Sequence, residues 1–205
     1  MRLAVAALCS LTLLLAPVAA HSGAQKYEPL SASVRGSLNR AIADQAVPHL
    51  AFDSEREARV WLAAMSSRLA RRMPDRVARE EFLVTVHYEA KRAGLDPQLV
   101  LGLIQVESAF RKYAVSGAGA RGYMQVMPFW AKLIGAADHN LFNLRTNLRY
   151  GCVILRHYLD IEQGNVFRAL GRYNGSLGKA DYPHTVLRAW HGQWRYADST
   201  DTGKP

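Results

Sequence analysis

Cysteine is nearly missing from this chain: two in 205 residues, at positions 9 and 152. Cys9 lies in an opening segment with the three-part layout of an export signal. A single early Arg2 is followed by an apolar run over residues 3–16, then Pro17 and the small residues Val18, Ala19 and Ala20. Cleavage after Ala20 is expected. The run is shorter than the roughly 20 residues a membrane-spanning helix needs, and the residues around Cys9 do not form a lipobox. Cys152 would then be the sole thiol, which excludes an intramolecular disulfide even in an oxidising compartment. Its place in an apolar helical stretch suits a small buried hydrophobe better than a nucleophile.

Sustained apolar–polar alternation is also lacking, as are internal repeats and low-complexity tracts. Without alternation there is no signature of an exposed sheet, and several stretches show helical spacing instead. The expected fold class is therefore all-α with little or no β. His157, His184 and His191 are not at metal-ligand spacing, so no metal is expected. Cations are plentiful but scattered: 26 Lys and Arg stand against 17 Asp and Glu, or 25 against 17 once Arg2 is removed. The excess favours polyanionic partners. For an exported protein these are the cell wall or lipid headgroups rather than nucleic acid, and scatter along the chain equally suits a plain solvated surface.

The expected organisation is a signal over residues 1–20, a leader with one short helix over 21–53, a helical domain over 54–196, and a polar disordered tail over 197–205. In the leader, Val34, Leu38, Ala41 and Ile42 mark a helix ended by Pro48. Ser54 and Glu57 form a capping box ahead of Trp61, Leu62, Met65 and Leu69. A further helix buries Phe82, Leu83, Val86 and Ala90 and stops at Gly94. Asp96 caps the next, with Pro97 at its first position, and this one carries Leu103, Ile104 and, near its end, Glu107. A glycine-rich stretch over 111–122 must loop. A long helix is expected to follow Asn147, and Asn165 caps another that reaches Tyr173.

Three segments carry polar residues beside tight turns: Glu107-Ser108-Ala109-Phe110, Gly119-Ala120-Arg121-Gly122-Tyr123-Met124-Gln125-Val126-Met127-Pro128, and Arg172-Tyr173-Asn174-Gly175-Ser176. Glu107 follows apolar Leu103 and Ile104 and precedes Phe110. Burial there would disfavour its carboxylate and raise its pKa, which suits a general acid for glycosidic cleavage. Hydrolases of that bond ordinarily use a second carboxylate. Between Pro97 and Ser176 the other acids are Asp138, Asp160 and Glu162, of which only Asp138 is a plausible partner, and nothing in its setting argues for that role.

In order and spacing these segments resemble the soluble lytic transglycosylase (SLT) family, over roughly residues 80–194. The resemblance implies a lysozyme-like fold of the goose-type and SLT kind, and cleavage of peptidoglycan between N-acetylmuramic acid and N-acetylglucosamine, with no cofactor. Glu107 would act as acid and then base, while the substrate's own acetamido oxygen attacks and its C6 hydroxyl closes a 1,6-anhydro ring. Periplasmic location and a monomer follow, working alone or with a secretion or envelope assembly. The resemblance further implies that Ser116 contacts the reacting sugar or Glu107. Gln125 and Asn174 would bind acetamido and hydroxyl groups, Met127 would line the subsite, and Tyr173 would lie beside Glu107.

Blander readings remain beside these: Ser116 as a turn residue, Gln125 as a helix cap, Met127 as core filling, Tyr173 as an amphipathic ring. For the whole protein the alternatives are a goose-type hydrolase and a non-catalytic wall-binding or secretion-assembly module. Three departures from the family pattern stand out. Tyr123 replaces a Leu and is expected to add a contact in the cleft, Tyr-Asn-Gly-Ser replaces Tyr-Asn-Ala-Gly, and the Glu-Thr pair before the final Tyr is absent, leaving Tyr182 and Val186 to mark that helix. Trp190 and Trp194 are expected to seal the terminal helix onto the domain.

Overall fold

A computed structural model describes residues 24–196. The expected signal and tail both lie outside the described residues. The architecture is helical throughout, with eight α-helices and a short closing π-helical turn described: α1 Ala32–Ile42, α2 Glu55–Leu69, α3 Arg76–Arg92, α4 Pro97–Ser108, α5 Pro128–Ile134, α6 Leu144–Ile161, α7 Val166–Tyr173, α8 Asp181–Arg188 and the turn Ala189–Gln193. The β content of the described residues is two isolated bridges, Val115 with Arg121 and Arg121 with Val126.

Local sequence explains most helix starts. Ser31, Ser54, Asp75, Asp96 and Asn165 each accept a backbone N–H of the first turn they precede, which satisfies donors the helix cannot pair internally. The long helix α6 differs from expectation. It starts three residues earlier than Asn147, capped by Asn143, whose Oδ1 accepts the Thr146 amide at 3.1 Å. Its first turn carries one apolar residue, Leu144, four before Leu148 and packed on the core, among the polar Arg145, Thr146 and Asn147.

The core forms around α4, which is buried on all sides from Leu99 to Ile104. It can be apolar all round because α3, α8 and the closing turn wrap it, as a fully buried helix requires. Trp194 is wholly buried and donates from Nε1 to Gln105 Oε1 at 2.9 Å, and Trp190 donates to Asp96 Oδ2 at 2.9 Å. Both tryptophans thus fasten the C-terminal turn onto α4. Cys152 is buried and unpaired within α6.

The leader helix α1 packs against α5 and α6. A buried carboxylate anchors it: Glu89, fully enclosed in α3, meets Arg92, Arg145 and Arg149 at 3.1 to 3.3 Å, while Arg149 Nη1 donates to the Ile42 carbonyl at 2.9 Å. A charge so placed is tolerated only because it is paired several times over.

Asn147 has a separate task. Fully buried on α6, it accepts the Met124 amide at 2.8 Å and donates to the carbonyls of Arg121 and Leu141, each at 2.8 Å. Met124 in turn lies so close to α6 that a Cβ on Gly151 would meet its Sδ at 2.3 Å. Truncation by Asn147→Ala strands the Met124 amide and the Leu141 carbonyl in the interior, while the Arg121 carbonyl keeps the Val126 amide at 3.0 Å. It should lower the unfolding free energy by at least about 1–3 kcal/mol, measured by urea denaturation, and an unchanged midpoint would contradict this wiring.

Candidate active site

Helix α4 delivers Glu107 one residue before its end, and the chain then leaves abruptly. Ala109 and Phe110 both take left-handed backbone conformations, with φ of 50° and 65°. Such a pair is costly for residues bearing a side chain, and here Phe110 is held by burial against Phe82 and Trp194, at ring separations of 5.9 and 5.4 Å. The strained exit fixes where the helix stops and so where the Glu107 side chain emerges.

The Glu107 carboxylate accepts a short hydrogen bond from the hydroxyl of Tyr182, the second residue of α8. Removal from water dominates its electrostatics. Desolvation pushes the pKa up from 4.5 to about 8, opposed by the Tyr182 bond, which favours the charged form. Glu107 nevertheless keeps a partial opening to solvent. It is therefore a carboxylic acid that retains its proton near neutrality and can still be reached.

Tyr173, at the end of α7, is completely buried and donates to the Met124 carbonyl at 2.7 Å. Its phenol lies within electrostatic range of Glu107, and burial together with that charge keeps it protonated. The hydroxyl that reaches Glu107 is that of Tyr182, and the Tyr173 hydroxyl instead braces the 122–127 loop.

That loop is wired from within. Gln125, at φ 48°, donates from Nε2 to the carbonyls of Ala114 and Gly122 at 3.1 and 2.9 Å, so its amide nitrogen closes the loop. The Ser116 hydroxyl accepts the Ala120 amide at 3.1 Å, within a turn that also pairs the Ser116 amide with the Ala120 carbonyl. Tyr123 is buried and packs on Phe82 with ring centroids 4.9 Å apart. It belongs to the core rather than to the cleft, a correction to the sequence expectation. Met127 precedes α5, half-buried against the core, and its amide donates to Gln25 Oε1 at 3.0 Å.

Asn174 is 5% exposed and donates from Nδ2 to Ser176 Oγ at 3.0 Å, while its Oδ1 is buried without a partner. An orphaned acceptor is costly to bury and is suited to receive a donor from a ligand. Asp138 is exposed on the α5–α6 connection, near Tyr150. Among the described residues, no group of three or more His, Cys, Asp or Glu is placed to hold a metal ion.

The arrangement thus joins α4, α7, α8 and the 111–127 loop around one proton-bearing carboxyl. The sequence pattern missed Tyr182 as a contact of Glu107, although it lay in plain view as the aromatic residue that opens the closing helix. It also missed Asn147, read there as the residue before the long helix, whereas it lies inside α6.

A family model described as "Transglycosylase SLT domain" matches residues 85–183. Among curated proteins, the chain is 37% identical over 111 residues to the transglycosylase of Enterobacteria phage PRD1, covering 51% of this chain and 41% of that protein. It is 52% identical over 52 residues to the membrane-bound lytic murein transglycosylase C of Actinobacillus pleuropneumoniae serotype 5b (strain L20), covering 25% of this chain and 14% of that protein. To the protein of that description from Histophilus somni (strain 2336) it is 33% identical over 131 residues, covering 56% of this chain and 34% of that protein. The chain therefore spans less than half the length of these curated relatives.

The raised pKa has a consequence for stability. An acid whose folded pKa exceeds its unfolded value of about 4.3 is protonated in both states at low pH. It costs nothing there, and it destabilises the fold progressively from about pH 4.5 to about 8, where it ionises in the folded protein too. Thermal unfolding of Glu107→Gln should match wild type below this window and exceed it increasingly up to about pH 8. Parallel curves across the whole range would refute the shift.

Proposed function

Residues 85–183 of this chain belong to the transglycosylase SLT family, and we propose that the protein is a peptidoglycan lytic transglycosylase with Glu107 as its single acid and base. One observation carries the reading: Glu107 is an accessible carboxyl whose pKa is pushed up to about 8, while Asp138, the other candidate, is an exposed loop residue. A site with one carboxylate cannot run the ordinary two-carboxylate hydrolysis. It can protonate the bond between N-acetylmuramic acid and N-acetylglucosamine and leave the nucleophile to the substrate.

In that sequence Glu107 gives its proton to the departing glycosidic oxygen as positive charge grows on the muramic ring. The neighbouring acetamido oxygen attacks the anomeric carbon. The Glu107 carboxylate, now a base, accepts the proton of the C6 hydroxyl, whose oxygen closes a 1,6-anhydro ring and releases the acetamido group. No water enters, and Glu107 ends protonated as it began. Tyr182 shares the developing negative charge on Glu107 through its hydrogen bond. Asn174, Ser116, Gln125 and Met127 supply the surrounding wall, with the Asn174 Oδ1 as the acceptor free for a sugar hydroxyl or amide N–H.

Peptidoglycan lies outside the cytoplasm, so this reading requires export, which the opening 20 residues are expected to provide. No described helix is long and apolar enough to cross a membrane. The basic surface charge suits an anionic wall.

Digestion of purified walls should give muropeptides with 1,6-anhydromuramic ends by mass spectrometry, and Glu107→Gln should lose at least about 100-fold in rate. Reducing muramic ends would instead establish a hydrolase, and undiminished cutting by Glu107→Gln would remove it from the chemistry. Because the acid form is needed, kcat/KM should fall as pH rises through about 8. Tyr182→Phe removes the bond that favours the carboxylate, so the alkaline limb should move to higher pH. A limb displaced to lower pH would contradict this account of the Tyr182 bond.

A further inference from the structure

We propose that residues 24–28 form a fixed strap that closes one end of the candidate cleft and confines cutting to the ends of glycan strands; this rests on the transglycosylase reading above.

The strap touches two of the segments that flank the candidate site, the 122–127 loop and the turn after Tyr173. On one side Gln25 donates from Nε2 to the Gln125 carbonyl at 3.1 Å, and its Oε1 accepts the Met127 amide at 3.0 Å. Tyr27 sets its ring edge-on to Phe129, with centroids 5.7 Å apart. On the other side Glu28 meets Arg172 at 3.4 Å, and the Ala24 carbonyl lies directly over Gly175. A Cβ at position 175 would come within 2.0 Å of that oxygen, so the chain can pass here only because the residue after Asn174 is glycine. The Tyr-Asn-Gly-Ser turn that departs from the family pattern is the turn the strap crosses.

Gln25 is 5% exposed with both ends of its amide bonded, which marks a built-in contact rather than a draped terminus. The strap also uses up the Gln125 carbonyl and the Met127 amide, two backbone groups of the loop beside Tyr173. Sugar and strap cannot hold them at once. An enzyme that cuts inside a strand needs a groove open at both ends, since the polymer must continue past the site in both directions. With one end barred, a strand terminus fits and an internal stretch does not.

The test compares wild type with two full-length variants, Gln25→Ala/Glu28→Ala and Gly175→Asn, on long uncrosslinked glycan strands. Asn tolerates the positive φ of Gly175 while its side chain displaces Ala24. Product lengths are followed by mass spectrometry from the earliest time points, with thermal unfolding confirming that each variant folds. Wild type should release short anhydro-ended fragments from the start, and either variant should shift early products to intermediate lengths. Intermediate lengths already from wild type would overturn the strap, as would an unchanged product pattern in a folded variant, including one that merely cuts faster. A wild type that releases nothing would overturn the transglycosylase reading and the strap with it.

Discussion

The withdrawal of one carboxyl from water governs this structure. Glu107 is useful as an acid only if its proton is retained near neutral pH, and retention requires an apolar surround. The apolar surround is α4 itself, a helix with no polar face through its middle, which can exist only when wrapped by other helices. Burial of α4 by α3, α8 and the tryptophan-fastened closing turn is thus both the core of the fold and the source of the raised pKa of Glu107. The left-handed turn at Ala109 and Phe110 ends the helix one residue after Glu107, and the Tyr182 hydroxyl supplies a polar contact that favours the carboxylate form.

Around that carboxyl, several polar side chains serve architecture and leave backbone to face the cleft. Asn147 and Tyr173 both hold Met124, the first through its amide and the second through its carbonyl. The Gln125 side chain closes its own loop, which leaves the Gln125 carbonyl and the Met127 amide to pair with Gln25. Asn174 differs, with a buried acceptor still unspent.

Much of this was legible in the sequence because local rules dominate here. Caps at Ser54 and Asp96 and the stop at Gly94 placed the helices, and the apolar run ahead of Glu107 foretold the pKa shift. What stayed hidden depends on contacts between distant residues. No spacing reveals that Asn147 reaches across to Met124, 23 residues away, or that Gln25 pairs with backbone 100 residues on. Tyr123 was misplaced in the cleft because a substitution within a polar motif says nothing about which way the ring turns, and the loop turns it onto Phe82. The unusual Gly175 was visible as a departure, but its cause, the Ala24 carbonyl above it, belongs to the tertiary path of the leader.

The central claim is that burial keeps Glu107 protonated near neutrality. Carbon-13 labelling of glutamate side-chain carboxyls, with the Glu107 resonance assigned by its loss in Glu107→Gln, reads that protonation directly during a pH titration. The account predicts a midpoint pushed up to about 8. A midpoint in the ordinary range for an exposed glutamate, about 4.3, would contradict it.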